Sequence, residues 1–149
     1  MFDSFIIGAL SSIAGALLVL AVQYAARRIQ EHRSPFTGEW EDYIFDENGK
    51  VVKKDRISMR QRDDTVNGKI ARIEPSSQNH RRWKFIGKIF GPNVFAIFWP
   101  VDKSIPSYGC WYVHQKDDFT FEGFYLKLDE GRDGKIHKVP IGLKRISNK

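Results

Sequence analysis

Tyr108-Gly109-Cys110-Trp111-Tyr112-Val113-His114-Gln115-Lys116-Asp117-Asp118-Phe119-Thr120-Phe121-Glu122-Gly123-Phe124-Tyr125 reads as two extended arms around one tight turn. Aromatic and β-branched side chains favour a pleated strand, and no apolar repeat near 3.6 residues runs through either arm. Asp117-Asp118 stands where the chain reverses, and aspartate tolerates the backbone that tight turns need. Alternation places Tyr108, Cys110, Tyr112 and His114 on one face of the first arm, with Trp111 and Val113 opposite. In the second arm Phe119, Phe121 and Tyr125 share one side, and Phe124 and Leu126 the other.

Working outward, the same rhythm covers everything after residue 34. Turn signals recur at Asp46-Glu47-Asn48-Gly49-Lys50, Asp63-Asp64, 75–80, Gly91-Pro92-Asn93, 100–107 and 129–135. They divide the chain into strands predicted at 37–45, 51–61, 65–73, 83–90, 94–99, 108–116, 119–127 and 136–146. Short connections make each strand pair with its neighbour in sequence. Closing such a meander removes its exposed edges, so the expected fold is an eight-stranded antiparallel up-and-down β-barrel of lipocalin-like form.

Two local patterns fit a small barrel. A glycine flanked by apolar residues recurs in Val66-Asn67-Gly68-Lys69-Ile70, Phe85-Ile86-Gly87-Lys88-Ile89 and Phe121-Glu122-Gly123-Phe124-Tyr125. Glycine within a strand marks a sharp bend or close backbone approach, so this echo is a shape device. Gly38-Glu39-Trp40 on the first strand resembles the start of lipocalin and avidin-like barrels, in which the tryptophan plugs one end.

Ahead of the barrel, residues 5–22 form an uncharged apolar run closed by Arg27 and Arg28. About 20 such residues span a bilayer core as a helix. The residues before the run, Met1, Phe2 and Asp3, carry no positive charge, which argues against a cleaved signal peptide. Arg27, Arg28 and Arg33 on the far side predict a single-pass anchor with the N-terminus out and the barrel cytoplasmic. The expected organisation is a transmembrane anchor with a juxtamembrane helix over 1–33 and a cytosolic barrel over 34–149. Gly8, Ser12 and Ala16 repeat every four residues, a spacing that lets membrane helices pack closely. A single cysteine, Cys110, forms no intramolecular disulfide and suits the cytosolic side.

The net charge of +6 in 149 residues suits an anionic partner, whether nucleotide, nucleic acid or lipid surface. Basic residues beside an anchor are equally what an anionic leaflet favours. The run His80-Arg81-Arg82-Trp83-Lys84, and Arg56, Arg60 and Arg62 beside Lys54, read first as solvated barrel surface. Catalysis is not expected. His32, His80, His114 and His137 lack metal-ligand spacing with each other or with Cys110, and no phosphate loop or nucleophile elbow is present. Neither a metal nor a cofactor is expected.

The more apolar strand faces give an inward set of Trp40, Ile44, Ile57, Met59, Val66, Ile70, Arg72, Trp83, Phe85 and Ile89. Arg72 is the misfit, because a buried guanidinium needs a partner. Arg72, Trp83, Tyr108, Tyr112, His114 and Tyr125 are therefore the candidate ligand-binding residues at the mouth or lumen. Rings that stack on bases and a guanidinium that forks onto phosphate suit a nucleotide.

An N-terminal membrane segment leading into a minimal barrel resembles the transmembrane β-barrel effectors of CBASS antiphage systems, the SMODS-associated membrane-spanning β-strand-rich family. The carrying residues are Phe36-Thr37-Gly38-Glu39-Trp40, Val66-Asn67-Gly68-Lys69-Ile70 and Phe121-Glu122-Gly123-Phe124-Tyr125. The resemblance implies a sensor at the bacterial inner membrane. Its barrel would bind a cyclic oligonucleotide made by a partner nucleotidyltransferase, with no direct DNA or RNA binding. Binding would drive homo-oligomerisation, and the clustered helices would disrupt the membrane lipid. That family typically carries two membrane helices, and this chain has one clear span. Two alternatives stay open: an anchored lipocalin-like barrel holding an apolar ligand, and a protein-interaction module. A nucleotide sensor needs cations among its aromatics, a carrier needs a wide dry cavity, and an interaction module needs a filled core.

Overall fold

The computed structural model describes residues 15–26, 35–128 and 136–147. The chain divides into two units, Met1–Arg33 and Ser34–Lys149. In the first, residues 15–26 are helical. Leu17, Leu18, Val19, Leu20, Val22 and Tyr24 are each more than half exposed there. Among the described residues no helix is long and apolar enough to cross a membrane. Most of the predicted span 5–22, with Gly8, Ser12, Arg27, Arg28 and Arg33, lies outside the described residues.

The second unit is a closed antiparallel barrel in the order β1 to β8. Its strands are β1 (Gly38–Phe45), β2 (Val51–Arg62), β3 (Thr65–Glu74), β4 (Arg82–Phe90), β5 (Asn93–Pro100), β6 (Gly109–Asp117), β7 (Thr120–Leu128) and β8 (Ile136–Ser147). Every predicted strand lands within one residue of both observed ends. β1 pairs with β8 from Glu39 opposite Ser147 to Ile44 opposite Ile141, which closes the sheet. The turns work as their composition requires. Asp46 Oδ1 accepts from the backbone N–H of Asn48 and of Lys50, each at 2.9 Å, and Gly49 takes φ +76°. Asp117 accepts from Phe119 N–H at 2.8 Å and from Thr120 Oγ1 at 2.7 Å.

Alternation sends Trp40, Ile44, Ile57, Met59, Val66, Ile70, Trp83, Phe85, Val94, Ala96, Trp111, Val113, Phe121, Ile141 and Leu143 inward as one packed core. The repeated glycines let neighbouring strands approach. A Cβ on Gly68 would lie 2.7 Å from the Phe85 ring, and one on Gly123 would lie 2.8 Å from Val113 Cα. No side chain fits at such distances, so glycine is what lets the strands approach at these positions.

One end is plugged. Trp40 is fully buried, donates from Nε1 to Phe36 O at 3.1 Å, and meets Phe121 edge-on at 4.8 Å. Phe36 packs on Phe121 at 5.3 Å, and the Arg145 guanidinium lies 4.5 Å over the Trp40 ring. Arg145 also donates to Pro35 O, tying the incoming chain to β8. The plug expected of Gly38-Glu39-Trp40 is therefore present.

Candidate functional site

The opposite end is built differently. There β1, β2 and β3 carry inward polar residues where apolar ones are expected. Asp42 faces Asp55 across the β1–β2 ladder, and Asp55 faces Arg72 across β2–β3. All three are buried. Arg72 forks onto Asp55, donating from Nε to Oδ1 and from its second terminal nitrogen to Oδ2 at 3.1 Å. Its other terminal nitrogen donates to Gln78 Oε1 at 3.2 Å, from the short 3-10 turn at Ser76–Gln78. The guanidinium also lies 5.2 Å over the Trp83 ring. A bidentate pair of this kind is what makes a buried arginine tolerable.

Around this belt lies a cavity of about 70 Å³. Its floor is Ile57, Ile70, Trp111, Ile141 and Leu143, and Lys53, Arg81, Ser107 and Lys127 stand toward the strand ends that form the mouth. Several polar atoms in its wall have no partner among the described residues: Asp42 Oδ1, Arg81 Nε, and the indole N–H of Trp83 and of Trp111. Buried polar groups are normally paired, so this wall is ready to hydrogen-bond something brought to it.

The electrostatics divide by residue. Burial, then the neighbouring Asp55 carboxylate, pushes Asp42 well above the ordinary aspartate value. Burial also raises Asp55, and its bonds to Arg72 oppose the rise. The Tyr125 hydroxyl is pushed up to about 12, by burial first and then by the Asp42 charge. Lys53 is lowered by burial and then by repulsion from Arg72, Lys127 and Arg81. These four cations therefore gather at one opening, where Arg72 is bonded to Asp55.

Of the six residues expected to gather at the lumen, Arg72, Trp83 and Tyr125 do so. Tyr108, Tyr112 and His114 do not. Trp111 and Val113 take the inward phase of β6, opposite Ala96 and Val94, which turns Tyr108, Tyr112 and His114 outward. Tyr112 Oη donates to Asn93 Oδ1 at 2.8 Å, and His114 Nδ1 is 2.9 Å from the same oxygen. Phe119, grouped with Phe121 by alternation, is exposed at the β6–β7 turn. Sequence reasoning missed Asp42, Asp55, Lys53, Arg81 and Lys127. Asp42 was available, since it lies in phase between Trp40 and Ile44. Among the described residues no group of three or more His, Cys, Asp or Glu is placed to hold a metal ion.

No protein-family model matches this chain, and no curated protein matches it. Solved structures do. A redesigned β-barrel is 14% identical with a TM-score of 0.60, over 76% of this chain and 93% of its own. The protein EF1p2_mFAP2b, bound to DFHBI, is 11% identical with a TM-score of 0.55, over 75% of this chain and 94% of its own. These likenesses define the class of fold, a small closed antiparallel barrel.

Proposed function

We propose that this chain is a non-catalytic, membrane-tethered sensor whose barrel mouth binds an anionic ligand of the cyclic-oligonucleotide class. In this reading ligand binding promotes self-association through the N-terminal helices and disruption of a bacterial inner membrane, as an antiphage effector does. The observation that carries it is the gathering of Lys53, Arg81 and Lys127 around the Arg72–Asp55 pair at one opening, near the Trp83 indole N–H, which has no partner among the described residues. Cations held together against their own repulsion favour an anion. The tether rests on the apolar sequence of 5–22 and on the exposure of Leu17, Leu18, Leu20 and Val22 all round the described helix.

The cavity is too small to enclose such a ligand. About 70 Å³ is room for roughly two waters, whereas drug-sized ligands occupy about 300–1,000 Å³. A cyclic oligonucleotide therefore lies across the mouth, with its phosphates on Lys53, Arg81 and Lys127. The same small volume counts against an apolar-ligand carrier. The packed core favours one other reading, a protein-interaction module.

The test is thermal unfolding of the full chain in lipid nanodiscs against a panel of cyclic di- and trinucleotides. A ligand of the native state raises the melting temperature by mass action. The expected shift with one member is lost in Lys53→Ala, Arg81→Ala and Lys127→Ala, and kept in Tyr108→Ala and His114→Ala. A flat panel on a folded barrel removes the sensor reading and leaves the interaction module.

A further inference from the structure

The outer surface of β4–β7 is apolar where a solvated barrel alternates to polar. Strand register lines up two cross-strand rows: Ile86, Ile97, Cys110 and Leu126, then Phe95, Tyr112 and Phe124. Phe90, Phe95 and Ile97 are each more than half exposed. The rings form a continuous chain, Phe90 to Phe95 at 6.0 Å, Phe95 to Tyr112 at 4.9 Å, and Tyr112 to Phe124 at 5.5 Å. A shallow cleft of about 660 Å³ runs through this plaque. Contiguous exposed apolar surface of this kind marks an interaction site.

The rim is cationic on both sides. Lys88 stands opposite Phe95 and Lys138 opposite Leu126 at the two ends of the rows. The Lys138 Nζ is 4.3 Å from the Phe124 ring centre. Behind β4 the exposed outer face continues with Lys84, Lys69, Arg60 and Arg56. Two nearby acids are paired, Asp64 with Lys88 at 2.7 Å and Glu122 with Lys116 at 2.6 Å, so the rim's excess positive charge comes from Lys138 on one side and from Lys84, Lys69, Arg60 and Arg56 on the other.

We infer that this face docks on an anionic lipid bilayer, with Ile86, Phe90, Phe95, Ile97 and Leu126 at the acyl boundary and the lysines at the headgroups. Aromatic and aliphatic side chains flanked by Lys and Arg are the composition that interfacial binding uses. The charge argument selects the occupant. A second copy laid on this face would bring one cationic rim against another, whereas an anionic leaflet complements both rims. Aliphatic Ile86, Ile97 and Leu126 offer nothing to bases or phosphates, which sets nucleic acid aside.

The chain carries its own reporter, because its single cysteine, Cys110, is exposed within the plaque. The full chain, labelled at Cys110 with an environment-sensitive fluorophore, is reconstituted into phosphatidylethanolamine–phosphatidylglycerol vesicles. Expected are a blue shift, quenching by nitroxide-bearing lipids, and a several-fold drop in quenching by aqueous acrylamide. Phosphatidylcholine vesicles and high salt weaken all three, and Phe95→Asp or Ile97→Asp abolishes them without lowering the melting temperature. A Cys110 probe that stays in water on anionic vesicles overturns the inference. So does protection that appears in detergent and grows with protein concentration, the signature of a second copy. The docking does not rest on the tether: a chain resistant to salt washing with its Cys110 probe in water keeps the tether and loses the docking.

Discussion

Asp42 and Asp55 face each other across the β1–β2 ladder inside the barrel, and Arg72 forks onto Asp55 while Asp42 Oδ1 has no hydrogen-bond partner among the described residues. Two carboxylates side by side in a buried wall repel each other, so the one without the bidentate partner is pushed well above the ordinary aspartate value. That asymmetry sets the first prediction.

The folded pKa of Asp42 lies above its unfolded value, so folding takes up a proton in the window between them. Its contribution is complete below the unfolded carboxylate value of about 3.9 and is lost as pH rises through the folded value. Asp42→Asn is expected to raise the melting temperature at neutral pH and to change it little in acid. Melting curves at both pH values check this; parallel pH profiles for the two proteins would remove the assignment.

Arg72→Met leaves Asp55 buried without its cation and is expected to cost about 3–5 kcal/mol. Adding Asp55→Leu should recover most of that loss, because the pair is then replaced by apolar volume. Chemical denaturation of the single and double variants measures the coupling. Equal losses in both would mean the arginine acts through packing alone.

Gly68→Ala places a methyl group against the Ser58 carbonyl and the Phe85 ring, and should destabilise by about 1–3 kcal/mol. Gly15→Ala, whose added Cβ meets nothing within 4 Å among the described residues, serves as the control. The readout is the shift in melting temperature.

Phe36→Ala opens the plugged end and removes the ring packed on Phe121, with an expected loss of about 3–5 kcal/mol. The mouth lies at the far end of the strands, so the stabilisation by ligand that the proposed function predicts should survive in the fraction that folds. Loss of the ligand response at unchanged stability would tie the two ends together.

The proposed effector function predicts that leucine at Gly8, Ser12 or Ala16 leaves ligand binding intact and abolishes self-association and toxicity. Crosslinking in membranes with and without ligand gives the answer. Unchanged crosslinking and toxicity would remove helix packing from the mechanism.

The strand plan was fully legible, because each turn carries Asp, Asn, Gly or Pro at the reversal and the arms between them alternate. Facing was legible on β1 to β4, where an apolar row such as Ile57 and Met59 contrasts with Arg56 and Arg60. It failed on β6 because both faces there are apolar. Trp111 and Val113 point in, while Cys110 and Tyr112 join the outer plaque, and alternation has no contrast to read. Register against Val94 and Ala96 decides the phase, and register is set by the whole barrel. The mouth was only partly legible. Arg72 stood out as a buried cation, but its partner Asp55 becomes visible only when β2 and β3 are aligned. Lys53, Arg81 and Lys127 lie near strand ends, where loop geometry brings them together.

Glu39 opposite Ser147 brings the start of the first strand beside the end of the last. Both ends of the barrel's chain therefore emerge at the plugged floor. A fluorescent protein or affinity handle joined behind β8 would hang below that floor and leave the mouth uncovered. The molecule can accordingly be watched or captured in live cells without obstructing the opening at which its ligand is to be sought.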